Sequence, residues 1–179
     1  MEGDAEVVGE AEWLHRVVRD FERPLSRYAP SITRNPEKAL DAVQETFLLL
    51  VENLAKVDRV CPAPWLFTVC RSKAIDLLRR DAKMEPHSYE EIAQHPDAAP
   101  TADSAAQSKE DREEAERLVA RLPEQEQEAV RLKFQEGLSY KDIAAVMGLS
   151  VSHVGVLIHE AVARLRRWRS GPSSHKART

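Results

Sequence analysis

The sequence predicts an all-α protein made of two small helical domains joined by a flexible acidic linker. Apolar residues recur every three or four positions over much of the chain, which is the spacing of one buried helix face. Only six of the 179 residues are glycine, and few runs alternate as strands do. The net charge is −5 over residues 1–58, +4 over 59–84, −9 over 85–128 and +6 over 129–179. Two basic segments suit a nucleic-acid partner, although from charge alone solvated helix faces are the simpler explanation.

Several classes of protein are not expected from this composition. The N-terminus is acidic and has no apolar core, and no apolar stretch is long enough to span a bilayer, so we expect a cytoplasmic protein without membrane contact. Cys61 and Cys70 suit a reduced protein better than a disulfide framework. The six histidines show no metal-binding spacing, and no glycine-rich phosphate loop is present. We therefore expect no catalytic residues, no metal and no cofactor.

The first domain is expected over residues 10–84. Helical spacing predicts one helix from about Glu10 to Tyr28, which Pro30 and the following SITRNP stretch should end. A second helix should begin at Pro36, because a proline in the first turn loses no helical hydrogen bond. The buried side of this second helix is predicted to contain Leu40, Val43, Phe47, Leu50, Val51 and Leu54.

A third helix is expected from Trp65 to Arg80, because Pro62 and Pro64 prevent a continuous helix through the preceding segment. Three amphipathic helices packed together can just support a small domain. The core candidates of the third helix are Leu66, Val69, Cys70, Leu77 and Leu78.

Residues 85–111 are predicted to be the linker. The stretch from 85 to 110 contains three prolines, many alanines and serines, and few large apolar side chains, so it cannot build a core. The charged sequence KEDREEAERLVARL, which starts at the end of this stretch, is predicted to be helical. A short basic tail, residues 170–179, is expected to be mobile.

The second domain, residues 112–169, carries the local signals of a helix-turn-helix. Pro123 fits the start of a helix, followed by Glu124 and Glu126 at its positive end. Gly137 and Gly148 are each expected to end a helix by adopting the left-handed backbone conformation. Val130, Leu132 and Phe134 are expected to supply apolar bulk, and Ser139 is expected to be an N-cap, with Asp142 three residues on. Ser150 should cap a last helix that runs to about Trp168. The buried side of that helix is predicted to contain Val154, Ile158, Ala161 and Leu165.

In a helix-turn-helix the second helix lies in the major groove and its first residues meet base edges. Residues off the buried stripe are therefore the candidates for DNA contact, and the later arginines can reach phosphates. A three-helix packing unit whose last helix happens to be basic is the alternative. The candidates are Ser150, Ser152, His153, Val156 and His159 for bases, and Arg164, Arg166 and Arg167 for phosphates.

Three segments, in this order, resemble the extracytoplasmic-function sigma factors of the sigma-70 family. DAVQETFLLLV resembles the helix that docks on the clamp of core RNA polymerase, PWLFTVCRSKAIDLLRR resembles the stretch that melts and reads the minus-10 element, and LPEQEQEAVRLKFQEGLSYKDIAAVMGLSVSHV resembles the domain that reads the minus-35 element. The resemblance covers about residues 10–168. It implies a non-enzymatic subunit that directs core RNA polymerase to promoter DNA, and relatives are often held inactive by an anti-sigma factor.

The resemblance also assigns candidate residues. The polymerase-docking set lies off the apolar stripe of the second helix, and the minus-10 set surrounds the basic face of the third. For Trp65 and Phe67, filling the core is the alternative to stacking on a base. The docking set is Asp41, Gln44, Glu45, Leu48 and Glu52, and the minus-10 set is Trp65, Phe67, Arg71, Ser72, Lys73, Asp76, Arg79 and Arg80.

The chain departs from the family at two places. Ser72 stands where many relatives have an asparagine that helps hold a flipped base, so base preference there is open. The run from Ser152 to Leu157 lacks the basic residues of relatives, which predicts weak binding to minus-35 DNA with a shallow salt dependence. Two other functions stay open: a helix-turn-helix regulator that acts without polymerase, and a helical interaction protein that does not read DNA.

Overall fold

The computed structural model describes residues 2–84 and 105–169, and over these residues it contains helices and no strand, which confirms the all-α prediction. The predicted tail and most of the predicted linker lie outside the described residues. The helices are α1 Glu2–Thr33, α2 Pro36–Glu52, α3 Ala63–Met84, α4 Ala105–Ala120, α5 Glu124–Val130, α6 Tyr140–Met147 and α7 Val151–Arg169, with a 3₁₀ turn at Leu54–Lys56 and a π-helical turn at Arg131–Gln135.

Helix α4 begins at Ala105, inside the segment predicted to be linker. Its sequence, AAQSKEDREEAERLVA, consists mostly of residues with high helix propensity, and it forms a helix without needing a large apolar face. The helix predicted from Lys109 is therefore present but begins four residues earlier, inside the predicted linker, and the domain boundaries stay predictions.

The helices divide into two compact units, and the first contains α1, α2 and α3, each packed against the other two. Tyr28 of α1 and Phe67 of α3 meet edge to face, with ring centroids 5.2 Å apart and planes at 73°. This geometry is the favoured one for aromatic pairs. The largest fully buried side chains of this unit are Tyr28, Phe67, Leu25, Leu50 and Leu66.

Helix α1 continues past Pro30 and ends at Thr33, inside the SITRNP stretch where the sequence predicted its end. Pro30 has no amide hydrogen to donate, but its carbonyl still accepts a bond from the amide of Arg34 at 3.0 Å. Burial of Tyr28 and Thr33 on the same helix offsets the lost bond. Arg34 then takes a left-handed conformation with φ of 50°, which ends the helix.

Every residue of the α1–α2 corner, Thr33 to Asn35, takes part in a hydrogen bond. The Thr33 hydroxyl lies 3.3 Å from the carbonyl of Ala29 and 2.9 Å from that of Asn35. The side-chain oxygen of Asn35 caps α2 by accepting the amide hydrogens of Glu37 at 2.9 Å and Lys38 at 3.1 Å. Pro36 opens the helix, as the sequence predicted.

The buried side of α2 differs from the prediction. Leu40 is 55% exposed and Val51 is 56% exposed, although both were expected in the core. Two alanines lie on the buried side instead, and their small side chains allow neighbouring helices to approach closely. The buried residues of α2 are Ala39, Ala42, Val43, Thr46 and Leu50.

The second unit contains the helix-turn-helix, and its local signals are confirmed. Gly137 and Gly148 have φ of 72° and 67°, in the region where a side chain is strained. Ser139 and Asp142 form a capping box: the Ser139 amide donates to the Asp142 carboxylate at 3.3 Å, and the Asp142 amide donates to the Ser139 hydroxyl at 3.2 Å. The Ser150 hydroxyl accepts from the His153 amide at 3.1 Å and caps α7.

The core of the second unit agrees with the prediction except at Phe134, which is 63% exposed, and at Leu165, which is only partly buried. Phe134 lies in the π-helical turn, where one extra residue per turn shifts the side chains that follow. Among the described residues, no single helix is long and apolar enough to cross a bilayer. Only α6 and α7 taken together reach the length and apolar composition of a membrane span, and a bend of 102° separates them. The buried core residues include Leu122, Val130, Leu132, Ile143, Val154, Ile158 and Ala161.

Candidate nucleic-acid and partner interfaces

The first candidate surface is the exposed side of α2, which we call the α2 face. It combines the predicted docking residues with apolar side chains that were expected in the core. Leu48 is 65% exposed, and it follows Leu40 and precedes Val51 at helical spacing, so the three share one side. Large apolar groups exposed together mark a surface for a protein partner. The α2 face consists of Leu40, Asp41, Gln44, Glu45, Leu48, Val51 and Glu52, of which only Glu45 is half-buried.

The second candidate surface lies on α3. Ser72, Asp76, Arg79 and Arg80 are exposed, which leaves them open to a ligand. Trp65, Arg71 and Lys73 are half-buried. Most of the predicted minus-10 set therefore has accessible side chains on one helix.

Phe67 does not belong to this surface. Its ring is only 1% exposed and packs on Tyr28, so no face is open to stack on a base. The prediction that it contacts DNA is wrong, and the alternative, an aromatic core residue, holds. Helical position explains the difference, since Phe67 shares one side of α3 with the buried Cys70 and Ala74.

An ion pair joins the two candidate surfaces of the first unit. The Lys73 ammonium on α3 lies 2.9 Å from a carboxylate oxygen of Glu45 on α2. Both side chains are partly solvated, 29% exposed for Lys73 and 39% for Glu45. One residue predicted to bind DNA thus pairs directly with one predicted to bind a protein.

The connection between α2 and α3 holds residues that the sequence did not point to. Val60 is 94% exposed, and its amide donates to the Asp58 carboxylate at 2.8 Å. The indole N–H of Trp13, on α1, donates to the Arg59 carbonyl at 3.0 Å. The Arg59 guanidinium lies 5.8 Å from the centre of that indole ring and also pairs with Glu10. The connection is therefore fastened to α1 just before α3 begins. The indole N–H of Trp13 was the only hint in the sequence, because a buried indole needs a hydrogen-bond acceptor. Nothing in the sequence indicated that the acceptor would be Arg59, 46 residues further along the chain.

The third candidate surface lies on α7. Ser150, just before the helix, and Ser152, His153, Val156 and His159 are all exposed, as predicted. Arg166 and Arg167 are also exposed near the end of the helix. The hydroxyl of Ser150 already accepts the helix-cap bond, which leaves its O–H donor and one lone pair for a ligand.

Arg164 has a different environment from the other arginines of α7. Its Nε lies 3.2 Å from the Glu126 carboxylate on α5, and its terminal nitrogen lies 3.8 Å from Glu160. The Nε atom is not aligned with the Glu126 oxygen for a hydrogen bond, so the contact is an ion pair. Arg164 is thus paired with two carboxylates of its own unit, while its side chain stays 39% exposed, so its contact with phosphate remains a prediction.

Among the side chains of this unit that the structure describes, two charged ones are buried, Glu126 at 4% exposure and Arg131 at 9%. Burial lowers the pKa of Arg131 from its usual value, and the negative charge of Glu116 opposes that shift. The sequence had placed Glu126 only at the start of a helix. Its ion pair with Arg164 shows that it also connects α5 to α7.

A shallow apolar depression of about 300 Å³ lies beside α7. The exposed Phe134, Tyr140 and the α7 residues Ile158 and His159 contribute to its lining. The Lys133 ammonium lies 5.3 Å from the Tyr140 ring, which adds positive charge at its edge. Within the described part of the chain, no three histidine, cysteine, aspartate or glutamate side chains come together in a way that could hold a metal ion.

A helix-turn-helix unit and a helical unit with an apolar and acidic face define a class of protein that binds nucleic acid together with a protein partner. Comparison with known families agrees with this class. Residues 17–84 match the family described as sigma-70 region 2, and residues 112–165 match sigma-70 region 4.

Curated relatives identify the family. The ECF RNA polymerase sigma factor SigM of Mycobacterium tuberculosis (strain ATCC 35801 / TMC 107 / Erdman) is 30% identical over 164 residues, which cover 91% of this chain and 80% of the relative. SigM of Bacillus subtilis (strain 168) is 29% identical over 86% of this chain and 93% of its own. RpoE of Cereibacter sphaeroides is 31% identical, and the alignment spans 61% of this chain and 59% of that protein. The chain belongs to the ECF RNA polymerase sigma factors of the sigma-70 family, the subunits that direct RNA polymerase to promoters.

Two solved structures share the fold. The sigma factor RpoE of Bartonella quintana, in complex with the anti-sigma factor NepR, has a TM-score of 0.66 at 21% identity and covers 88% of this chain and 96% of its own. CnrH, in complex with the cytosolic domain of CnrY, has a TM-score of 0.59 at 23% identity and covers 89% of each chain. At these identities the likeness establishes the fold.

Proposed function

We propose that the α2 face docks on core RNA polymerase, that α3 opens and reads the minus-10 element, and that α7 contacts the minus-35 element. The domain limits that accompany this proposal are 10–84 for the first unit and 112–169 for the second. The observation that carries the proposal is the exposure of Leu40, Leu48 and Val51 on one side of α2.

The α2 face supports a specific kind of partner. Exposing three large apolar side chains has no benefit in a chain that works alone, since burying each contributes roughly 1.5–3 kcal/mol. Asp41, Glu45 and Glu52 surround them with negative charge. A basic amphipathic helix of the polymerase would match this pattern, with apolar contact for affinity and charge for orientation.

The exposed residues of α3 support a role in promoter opening. Arg79 and Arg80 are exposed near the end of the helix and can reach phosphates. Unstacking a base costs a few kcal/mol, and such phosphate contacts help to offset that cost. Ser72 and Asp76 are exposed on the same helix and can bond to an extruded base.

The α7 surface supports contact with duplex DNA through few charges. Its exposed first half offers Ser152, His153 and Val156 but no lysine or arginine. Arg166 and Arg167 provide the exposed positive charge further along. This scarcity of phosphate contacts keeps one alternative open, an adaptor that binds polymerase but does not read DNA.

We further propose that the chain works in the cytoplasm, where bacterial RNA polymerase acts, and that an anti-sigma factor controls it. Supporting this, the similar RpoE structure was solved in complex with the anti-sigma factor NepR.

Reconstitution with core RNA polymerase tests the proposed function. The chain should co-elute with the core enzyme and give defined start sites in run-off transcription from a promoter library. Leu48→Glu, which places a charge in the α2 face, should weaken core binding at least about tenfold, since it removes an apolar contact and adds an unpaired charge. Val18→Glu is the matched control, because Val18 is an apolar residue of α1 that is 36% exposed.

Each outcome separates the candidates. Co-elution with defined start sites supports the sigma factor role, and co-elution without them supports the adaptor. Absence of co-elution, together with specific DNA binding by the free chain, would support a regulator that acts without polymerase.

A further inference from the structure

The ion pair between Glu45 and Lys73 joins two surfaces for which different partners are proposed. The Lys73 ammonium lies 2.9 Å from the Glu45 carboxylate, close enough for a charge-assisted hydrogen bond. Glu45 lies on the α2 face, and Lys73 lies on α3 between Ser72 and Asp76. The pair is accessible to both partners, since neither side chain is buried.

The same ammonium cannot serve the carboxylate and a DNA phosphate equally well. While Glu45 holds Lys73, its negative charge cancels most of the local positive potential and repels an approaching phosphate. A cationic group that pairs with Glu45 would remove that competition. Binding at one surface is then coupled to binding at the other, and the coupling must act in both directions.

We propose that the Glu45–Lys73 pair is a charge gate: in the free chain Glu45 masks Lys73, and docking of the α2 face on a basic partner surface draws Glu45 away and frees Lys73 for a DNA phosphate. Glu45 thus acts through Lys73 and is a positioning residue. The gate rests on the proposed function, because it needs both a protein partner at α2 and nucleic acid at α3.

The size of the gate is limited by solvation. Exposed and half-exposed ion pairs are weak, and their coupling corresponds to a change of about two- to fivefold in an equilibrium constant. A gate of this size adjusts the affinity of the free chain for DNA but does not abolish it.

The first test uses the full chain without polymerase. The probe is a fluorescently labelled oligothymidylate of about 20 nucleotides, which reports phosphate contacts independently of sequence. Glu45→Gln should bind it about two- to fivefold more tightly than the unaltered chain, and the salt dependence should steepen by about 0.7, the value for one added phosphate contact on a single strand.

Two controls separate the gate from a general effect of charge. Glu37→Gln removes the same charge from an exposed position in the first turn of α2 and should leave the affinity nearly unchanged. Lys73→Gln should cancel the gain of Glu45→Gln in the double variant, because no ammonium group then remains to be freed.

The second test uses reconstituted holoenzyme. There Lys73→Gln should lower promoter-complex stability, while Glu45→Gln should no longer improve DNA binding, since docking has already freed Lys73. The gate is overturned if Glu45→Gln binds the oligothymidylate no better than Glu37→Gln, or if the double variant keeps the full gain. Failure of the chain to bind core polymerase would refute the proposed function instead. The oligothymidylate affinities of the free-chain variants would still test whether Glu45 masks Lys73.

Discussion

Arg164 and Glu126 hold α7 against α5, with Nε of the arginine 3.2 Å from the carboxylate oxygen of a glutamate that is 4% exposed. This contact fixes the helix that carries the minus-35 candidates to the rest of its unit. An arginine predicted to bind DNA is therefore part of the scaffold.

Replacing Glu126 with glutamine should weaken the second unit by about 2 kcal/mol, because it leaves the Arg164 charge without its buried partner. Amide hydrogen exchange in α5 and α7 of the full chain should become roughly 30-fold faster, the factor equivalent to that energy. Glu160→Gln is the matched control, since Glu160 is exposed and lies 3.8 Å from the same arginine. Equal effects of the two variants would contradict the scaffold role.

Phe67 should behave as a core residue rather than a DNA contact. Phe67→Ala should lower the free energy of unfolding of the first unit by about 3–5 kcal/mol, since it leaves a cavity beside Tyr28. Urea unfolding can be followed by Trp13 and Trp65 fluorescence in a Trp168→Phe background. Ser72→Ala, an exposed change on the same helix, should stay within about 0.5 kcal/mol.

Two glycines of the helix-turn-helix should respond oppositely to alanine. Gly148 has φ of 67°, so Gly148→Ala should cost about 1 kcal/mol of unfolding free energy through backbone strain. Gly155 lies inside α7, and an added Cβ would sit 3.9 Å from the Tyr140 ring, an ordinary contact. Gly155→Ala should therefore gain about 0.5–1 kcal/mol. Thermal unfolding followed by Trp168 fluorescence in chains lacking the other tryptophans would show both shifts.

The Cys70 thiol makes stability depend on pH in the alkaline range. Burial raises its pKa from 9.0 to about 12, although a hydrogen bond with Thr46 acts in the opposite direction. Below pH 9 the thiol is neutral in the folded and the unfolded chain, so its contribution to stability is fully present. Above pH 9 the thiol ionises in the unfolded chain but not in the folded one. The free energy of unfolding therefore falls with rising pH until the pKa of the folded chain is reached. The stability gap between the unaltered chain and Cys70→Ala should narrow by up to about 1.4 kcal/mol per pH unit above pH 9. A constant gap in urea midpoints between pH 8 and pH 10.5 would contradict the burial.

The prediction of weak minus-35 binding remains to be tested through salt dependence. If Arg166 and Arg167 contact phosphates, replacing either with glutamine should reduce the slope of log affinity against log salt by about 0.9. Arg164→Gln should leave that slope unchanged, because its charge is already used by Glu126. Fluorescence anisotropy of the full chain with duplex DNA would measure the slopes. A steep slope in the unaltered chain would overturn the expectation of few phosphate contacts.

Local features could be predicted from the sequence because their partners lie within a few residues. The stops at Gly137 and Gly148 and the capping box of Ser139 with Asp142 each depend on the backbone of one turn. The all-α fold follows from helical spacing, which is also a local signal.

Contacts between helices could not be predicted in the same way. The buried side of α2 contains Ala39 and Ala42 rather than Leu40 and Val51, because the neighbouring helices come close and small side chains fit the contact. Apolarity alone does not distinguish a core position from a docking surface. The pairs of Glu45 with Lys73 and of Glu126 with Arg164 likewise depend on how separate helices pack.

The α1–α2 corner has a consequence for how the chain tolerates change. Thr33 bonds the carbonyls on both sides of it, Arg34 holds a left-handed backbone, and Asn35 caps the next helix. One inserted residue would separate the cap from its amides and displace the start of α2. Natural length variation, affinity tags and circular permutants should therefore be poorly accepted at this corner.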